Sequence, residues 1–380
     1  MSKISDLIEK HTEMRTNGIN LIASENFLSS RVREALRSDL GGRYHSDWYG
    51  GSQYSIEIIK ETENLANEVF SCRHAIVTSL AGNMCDLAVM FAFTKPGDSV
   101  AMLHFEAGGY PLGLTKFHRK LLPIPADPKT YEIKLDKAID VLTSQEPPLI
   151  ILGASYIPFP QPVKEITSAV GKKSVCVFDG SHVLGLIACS QFQNPLKEGA
   201  QILMGSTHKS LYGPQGGIVL TDSDEHYEAM KKMLDFDLEE GIGLVDNPHM
   251  NRIAALGLAL EEIADDSNYG KCVIENAKAL AVALDERGVP VRFKERGYTG
   301  SHQIFLDLNE EEAMKLCHSL ETVGIYMDVA SRMGTAEVTH LGMKKPDMDS
   351  IAGFISEVYE GNSSDGLRKS VSEFRDNFGR

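Results

Sequence analysis

Short apolar runs alternate with helix-length segments through the first two thirds of this 380-residue chain, and that alternation limits the fold more than any other feature. SVAML (99–103), LIILGAS (149–155), SVCVF (174–178) and AQILMGST (200–207) read as buried strands. Residues 54–92 and VKEITSAVGKK (163–173) carry helical periodicity, the first broken by a strand-like AIVTS (75–79). Buried β-rich runs separated by helical crossovers predict an α/β fold, a mostly parallel central sheet with helices on both faces. Several polar side chains fall just beyond strand ends: Ser155, Asp179, His182, His208 and Lys209. In open α/β sheets the ligand crevice lies at those carboxyl ends, so these groups converge on one edge.

The later chain changes character. Two apolar helical runs, 251–264 and 276–287, are followed by VPVRF, HQIFLDL, GIYMDV and AEVTHL, which read as short strands between helices. This predicts an N-terminal arm over 1–50, a large α/β domain over 51–250 and a small α+β domain over 251–380. The polar tail after Gly361 reads as an exposed helix.

Composition removes several function classes. The net charge of -15, with no long Lys/Arg run, argues against a nucleic-acid or anionic-membrane surface. The six cysteines are scattered without CxxC spacing. They fit free thiols of a reducing compartment, with no disulfide framework and no metal site. The opening MSKISDLIEKHTEMR has no signal-peptide apolar core, and no apolar stretch is of bilayer length, so a soluble, cytoplasmic protein is expected.

The chemistry gathers around MGSTHKSLYGPQGGIVLT, where one lysine, Lys209, sits between two apolar strands with Ser206 and His208 beside it. Burial lowers a lysine's pKa and frees its amine to form a Schiff base, the linkage a pyridoxal-phosphate enzyme requires; the plainer reading is an exposed loop lysine. Asp179 closes the run SVCVF, where it is either a helix cap or the carboxylate that keeps a cofactor's pyridine nitrogen protonated. His182 is a support for that aspartate or a core histidine. Ala81-Gly82-Asn83 opens an apolar helix, and a small-Gly-polar turn there offers free N–H groups to a phosphate. Tyr110, on a glycine turn after SVAML, stacks on a cofactor or fills core. Arg332, in SRMGTAEVT, is a bidentate clamp for a carboxylate or a surface ion pair.

Taken in order, these segments resemble the serine hydroxymethyltransferases, fold-type-I pyridoxal-phosphate-dependent transferases. The resemblance runs over most of the chain. INLIASENF (19–27) is similar to the family's N-terminal signature, which implies substrate binding by Ser24. RYHSDWYGGSQY (43–54) resembles a shortened form of its tyrosine-rich segment, which implies that Tyr44 and Tyr49 reach a partner subunit's site in a homodimer. AGN (81–83) takes the place of the phosphate turn, Tyr110 that of a ring-stacking histidine, and Ser155 that of a serine near the cofactor's phenolic oxygen. FDGSH implies Asp179 and His182 as the pyridine-nitrogen block, STHKSLYGPQGG implies Lys209 as the Schiff-base residue, and SRMGT implies Arg332 as the substrate-carboxylate arginine. The implied cofactor is pyridoxal 5'-phosphate. The implied reaction is the retro-aldol interconversion of serine and glycine, or of a related β-hydroxy amino acid, through a Lys209 aldimine and a glycine quinonoid.

The departures fall on the other half of the site. Where the family carries a catalytic glutamate, this chain offers Ser46 or Asp47, and only Asp47 is capable of comparable acid–base work. The phosphate turn lacks its flanking serines, and the arginine usual after Gly-Pro is Gln215. GIYMDVASRMG runs straight through a region where family members have a longer loop that holds a pterin. Two readings follow: transfer of the one-carbon unit to tetrahydrofolate or another reduced pterin, or pterin-independent aldolase or transaldolase chemistry on threonine-like or α-substituted amino acids. Aminotransferase or racemase chemistry, or an inactive cofactor-binding protein, stands behind both.

Overall fold

The computed structural model describes residues 2–235, 241–266 and 268–379. Two compact units emerge: Leu28–Ser267, and Met1–Phe27 together with Asn268–Arg380. Residues 1–27 thus group with the C-terminal part, and the larger unit runs to 267, whereas the sequence pattern placed breaks at 50 and 250.

The chain enters the smaller unit with a helix, Lys3–Thr16, and strand β1 (Ile19–Asn20). The larger unit then builds one seven-stranded sheet. Its strands are β2 (His74–Ile76), β3 (Ser99–Leu103), β4 (Lys120–Ile124), β5 (Leu149–Gly153), β6 (Val175–Asp179), β7 (Ile202–Ser206) and β8 (Gly217–Thr221). The spatial order is β2-β8-β7-β6-β5-β3-β4. Strands β3 to β7 run parallel, while β8 turns back against β7 and β2 pairs antiparallel with β8. Every residue of β5, β7 and β8 is buried, as continuous apolar runs require when helices cover both faces. The helix Gly82–Phe93 supplies much of one covering layer: Cys85, Ala88, Val89 and Met90 pack with Val100, Met102, Val177 and Met204 from the sheet. The strand order switches between β3 and β5, because β4 is laid outside β3 before the chain returns to β5 on the other side. That crossing is where an open α/β sheet leaves its crevice.

The smaller unit is an α+β layer. Strand β9 (Gln303–Phe305) pairs antiparallel with β11 (Arg332–Gly334), and β1 pairs parallel with β10 (Ile325–Tyr326). Its core joins Ile19 and Leu21 to Leu280 and Leu284 of the helix Tyr269–Glu286 and to Ile351 and Ile355 of the helix Lys345–Tyr359. AEVTHL, expected as a strand, is instead the helix Ala336–His340. One local and one long-range bond hold it. Thr339 Oγ1 donates to the Thr335 carbonyl four residues back, while Glu337 accepts from Asn20 Nδ2 at 2.7 Å. VPVRF forms only an isolated bridge, Val291 to Leu306. The tail does form a helix, Asp365–Arg375, but it buries Leu367, Val371 and Arg375, a stripe at i, i+4 and i+8. Among the described residues no helix is long and apolar enough to cross a membrane.

Candidate active site

The lysine sits in a loop closed by its own backbone. Leaving β7, Thr207 donates from N to the Gly216 carbonyl at 3.1 Å and from Oγ1 to the Pro214 carbonyl at 2.6 Å. Gly213 N donates back to the Thr207 carbonyl at 2.8 Å. Gly185 N donates to Ser210 Oγ at 3.1 Å and pins the loop to the segment after β6. Lys209 Nζ, half-buried, lies 3.3 Å from His182 Nε2. Burial and the Lys209 charge pull the His208 pKa down to about 4, so this imidazole is neutral through the working range.

Asp179 is the last residue of β6, and its Oδ1 accepts from Ser181 N at 2.9 Å. Ser181 Oγ accepts from Ser206 N at 2.9 Å, which locks the ends of β6 and β7 together. Lys209, His182 and Asp179 therefore come from two neighbouring strand ends. The sequence pattern missed a fourth group, Asp86, 3% exposed within the helix Gly82–Phe93. Burial and the Asp179 carboxylate push its carboxyl well above the usual range, with Lys209 partly offsetting them. The available signal was a single acid inside the otherwise apolar MCDLAVMFAF.

Ala81 is the N-cap of that helix and gives no side-chain cap; Met84 N donates to the Ala81 carbonyl at 3.0 Å, which leaves the N–H groups of Gly82 and Asn83 for another acceptor. Gly82 is required there: a Cβ would stand 2.2 Å from Ser206 Oγ and 2.9 Å from Ser206 N. Asn83 is exposed, and its Oδ1 accepts from the Tyr110 hydroxyl at 3.2 Å. Burial, then Asp86 and Asp179, push the Tyr110 phenol up, so it stays neutral. Ser155, beyond β5, donates from N to the Gly108 carbonyl at 2.9 Å, joining its turn to the one that carries Tyr110.

The remaining expected residues are carried by other segments. Tyr44 and Tyr49 stack on each other, centroids 4.3 Å apart, with 50% and 39% of their surface exposed. Asp47 between them is exposed. Ser24 and Arg332 belong to the smaller unit. Arg332 is 8% exposed in β11, where its Nε donates to Asp328 Oδ2 at 2.8 Å. Gln215 is exposed.

A lysine and an aspartate at adjacent carboxyl ends of a mostly parallel sheet, facing an uncapped helix turn, define a fold-type-I pyridoxal-phosphate enzyme. The structure of L-threonine transaldolase from Pseudomonas fluorescens matches at a TM-score of 0.90 and 25% identity, covering 99% of this chain and 91% of that one. Residues 2–355 match the serine hydroxymethyltransferase family. The serine hydroxymethyltransferase of Methanosphaera stadtmanae is 36% identical, covering 99% of this chain and 94% of its own. That of Methanocaldococcus jannaschii is 37% identical over 98% and 92%. The chain belongs to the serine hydroxymethyltransferase family, and its cofactor is pyridoxal 5'-phosphate. The residues present fit that group, for the Gly82 cradle would be filled by a single Cβ and Lys209 Nζ lies within 3.3 Å of an imidazole nitrogen.

Proposed function

We propose that this protein interconverts serine and glycine, or a closely related β-hydroxy amino acid, by making and breaking the Cα–Cβ bond. The observation that carries the reading is the pairing of Lys209 with His182 beside Asp179, in a chain whose whole length aligns with serine hydroxymethyltransferases. Pyridoxal phosphate, when bound, supplies an electron sink for the negative charge that develops at Cα.

The chain's own groups divide the remaining work. Lys209 provides the amine that holds the cofactor's carbonyl, and His182 Nε2 accepts from that amine and orients it. Asp179, its Oδ1 fixed by Ser181 N, keeps a proton on the pyridine nitrogen. The N–H groups of 81–83 hold the phosphate, with Ser206, His208, Ser155 and Tyr110 completing the cofactor's walls. Arg332 takes the substrate carboxylate, its guanidinium held by Asp328, and Ser24 assists binding. Tyr44 and Tyr49 serve the site of a second copy in a homodimer, and Asp47 moves the substrate hydroxyl's proton. Six cysteines, none in a disulfide among the described residues, favour a reducing, cytoplasmic setting.

A second reading is favoured by one feature. Only residues 327–331 separate β10 from β11, and a structure of the same fold at TM-score 0.90 is an L-threonine transaldolase. Pterin-independent aldol chemistry would need no loop there. Glycine release from serine by the cofactor-loaded protein, with and without tetrahydrofolate or a methanopterin analogue, separates the two. Pterin-dependent glycine supports hydroxymethyl transfer. Turnover of threonine-like substrates alone, unaffected by any pterin, overturns it in favour of the aldolase.

A further inference from the structure

Arg252 stands in the first turn of the helix Met250–Asp265, a poor place for a cation because that helix end is itself positive. It is 5% exposed. Its Nη2 donates to the Val77 carbonyl at 2.8 Å, while Nε and Nη1 are buried with no hydrogen-bond partner among the described residues. The ionisable side chain acting on it is Cys85, and burial pushes that thiol up to about 12, so it stays neutral. Burial brings the Arg252 pKa down to about 10, which still leaves a full cation at neutral pH. A buried charge without a counterion is expensive and persists where something else compensates it.

The surroundings indicate what that is. A Cβ at Gly216 would stand 2.4 Å from Arg252 Nη1, and a Cβ at Gly217 would stand 2.5 Å from the Ala81 carbonyl and 2.6 Å from Cys85 Sγ. One Gly–Gly peptide therefore separates the guanidinium from the turn 81–83. Gly217 N also donates to the Ser79 carbonyl at 3.0 Å, and Val77, which receives Nη2, lies two residues before Ser79. The arginine is fastened beneath the segment that leads into the uncapped helix turn. Its two open nitrogens are sealed from solvent, so it touches no ligand directly.

We propose that Arg252 is a positioning residue for the cofactor's phosphate, a buried countercharge that acts on the dianion through the protein interior and makes this turn prefer phosphorylated over unphosphorylated pyridoxal. This rests on residues 81–83 being the phosphate turn. The division of labour is physical: uncapped N–H groups supply contact, and a cation in a dry, poorly screened interior supplies charge.

The test titrates apoprotein with pyridoxal phosphate and with pyridoxal, following the absorbance of the lysine adduct, for the unaltered chain, Arg252→Met and Arg252→Lys. The expected result is a rise of tenfold or more in the Kd of pyridoxal phosphate for Arg252→Met, under twofold for pyridoxal, and recovery of most of the loss in Arg252→Lys. The bound phosphate's 31P signal should also titrate at higher pH in Arg252→Met. Equal losses for both ligands would mean that Arg252 only packs, and no loss for pyridoxal phosphate would remove it from the site; either result overturns the proposal. Should Arg252→Met fail to fold, Arg252→Gln carries the same two titrations. An unaltered chain that binds both ligands equally would instead overturn the phosphate turn itself, a different outcome from equal losses in the variants.

Discussion

The lysine loop 206–217 and the tyrosine segment 43–54 belong to the same unit, are the same length and each carry a Gly-Gly pair, yet they end in opposite environments. In the lysine loop Gln215 alone is exposed, whereas in the tyrosine segment Ser52 alone is buried. Both hold their shape through internal hydrogen bonds. Thr207 closes the first, and Ser52 Oγ closes the second by donating to the carbonyls of Ser46 and Tyr49 at 2.8 and 2.7 Å. The lysine loop is ordered and covered by its own chain. The tyrosine segment is ordered and uncovered, with Trp48 70% exposed beside the stacked Tyr44 and Tyr49. Aromatic groups held rigid but left in water are the signature of a surface that meets a partner. The difference teaches that two loops of one length can be equally well closed by their own hydrogen bonds while one is covered by its chain and the other presents its aromatic rings outward.

Replacement of the lysine attacks the covered side most directly. Lys209→Ala should eliminate the visible absorbance of the lysine–cofactor adduct and lower turnover by about a thousandfold or more, read by spectrophotometry and glycine formation. Unchanged absorbance would move the covalent link to another residue.

Gly82→Ala strikes the same side more mildly. A Cβ at 2.2 Å from Ser206 Oγ forces a shift costing about 1–3 kcal/mol, so cofactor affinity should fall roughly ten- to a hundredfold.

The uncovered side is probed by mixing chains. Tyr49→Ala should lose about tenfold in turnover, and refolding it with an equal amount of Lys209→Ala should restore roughly a quarter of full activity, because half the dimers then hold one intact site. No recovery on mixing would mean that the tyrosine serves its own chain.

The smallest effect lies where His45 of the tyrosine segment meets Glu63, Tyr227, Lys231 and Asp235 around a cavity of about 180 Å³. Burial, then the Asp235 charge, raise the Glu63 pKa to about 7, against the opposing pull of Lys231 and the Val77 N–H. The folded state thus holds a proton that the unfolded chain releases near pH 4.5. Its contribution to stability is fully present below that pH and is lost as pH rises through about 7. Glu63→Gln should flatten this slope and raise stability at pH 8 by about 1–3 kcal/mol in urea titrations, with little change at pH 4.5. An unchanged slope would show that Glu63 is ionised in the folded protein.

The parallel sheet was legible because β3, β5, β6 and β7 are apolar runs, while β4, with only Ile124 buried, gave no such signal. The lysine and aspartate were legible because they stand at or just beyond the ends of those runs. AEVTHL was misread because six residues of largely alternating polarity satisfy a strand pattern as well as a short helix, and one bond that holds the helix, Asn20 to Glu337, joins residues 317 positions apart. Asp86 and Arg252 were invisible for a related reason. Asp86 is the one charge of its helix and Arg252 the one cation of its own, and only the folded chain shows that Asp179 acts on the first and that the Gly216–Gly217 peptide lies against the second.

The pairing of β2 with β8 also sets a schedule for synthesis. His74 meets Thr221, so the strand that leads into turn 81–83 has no neighbour until 147 further residues have been made. At ribosomal rates of about 5–20 residues per second this is a wait of roughly 7 to 30 s. Through that interval the apolar helix Gly82–Phe93 has no finished sheet to lie on. The nascent chain therefore presents its greasiest helix to chaperones well before it can hold its cofactor, and loading is confined to chains more than half complete.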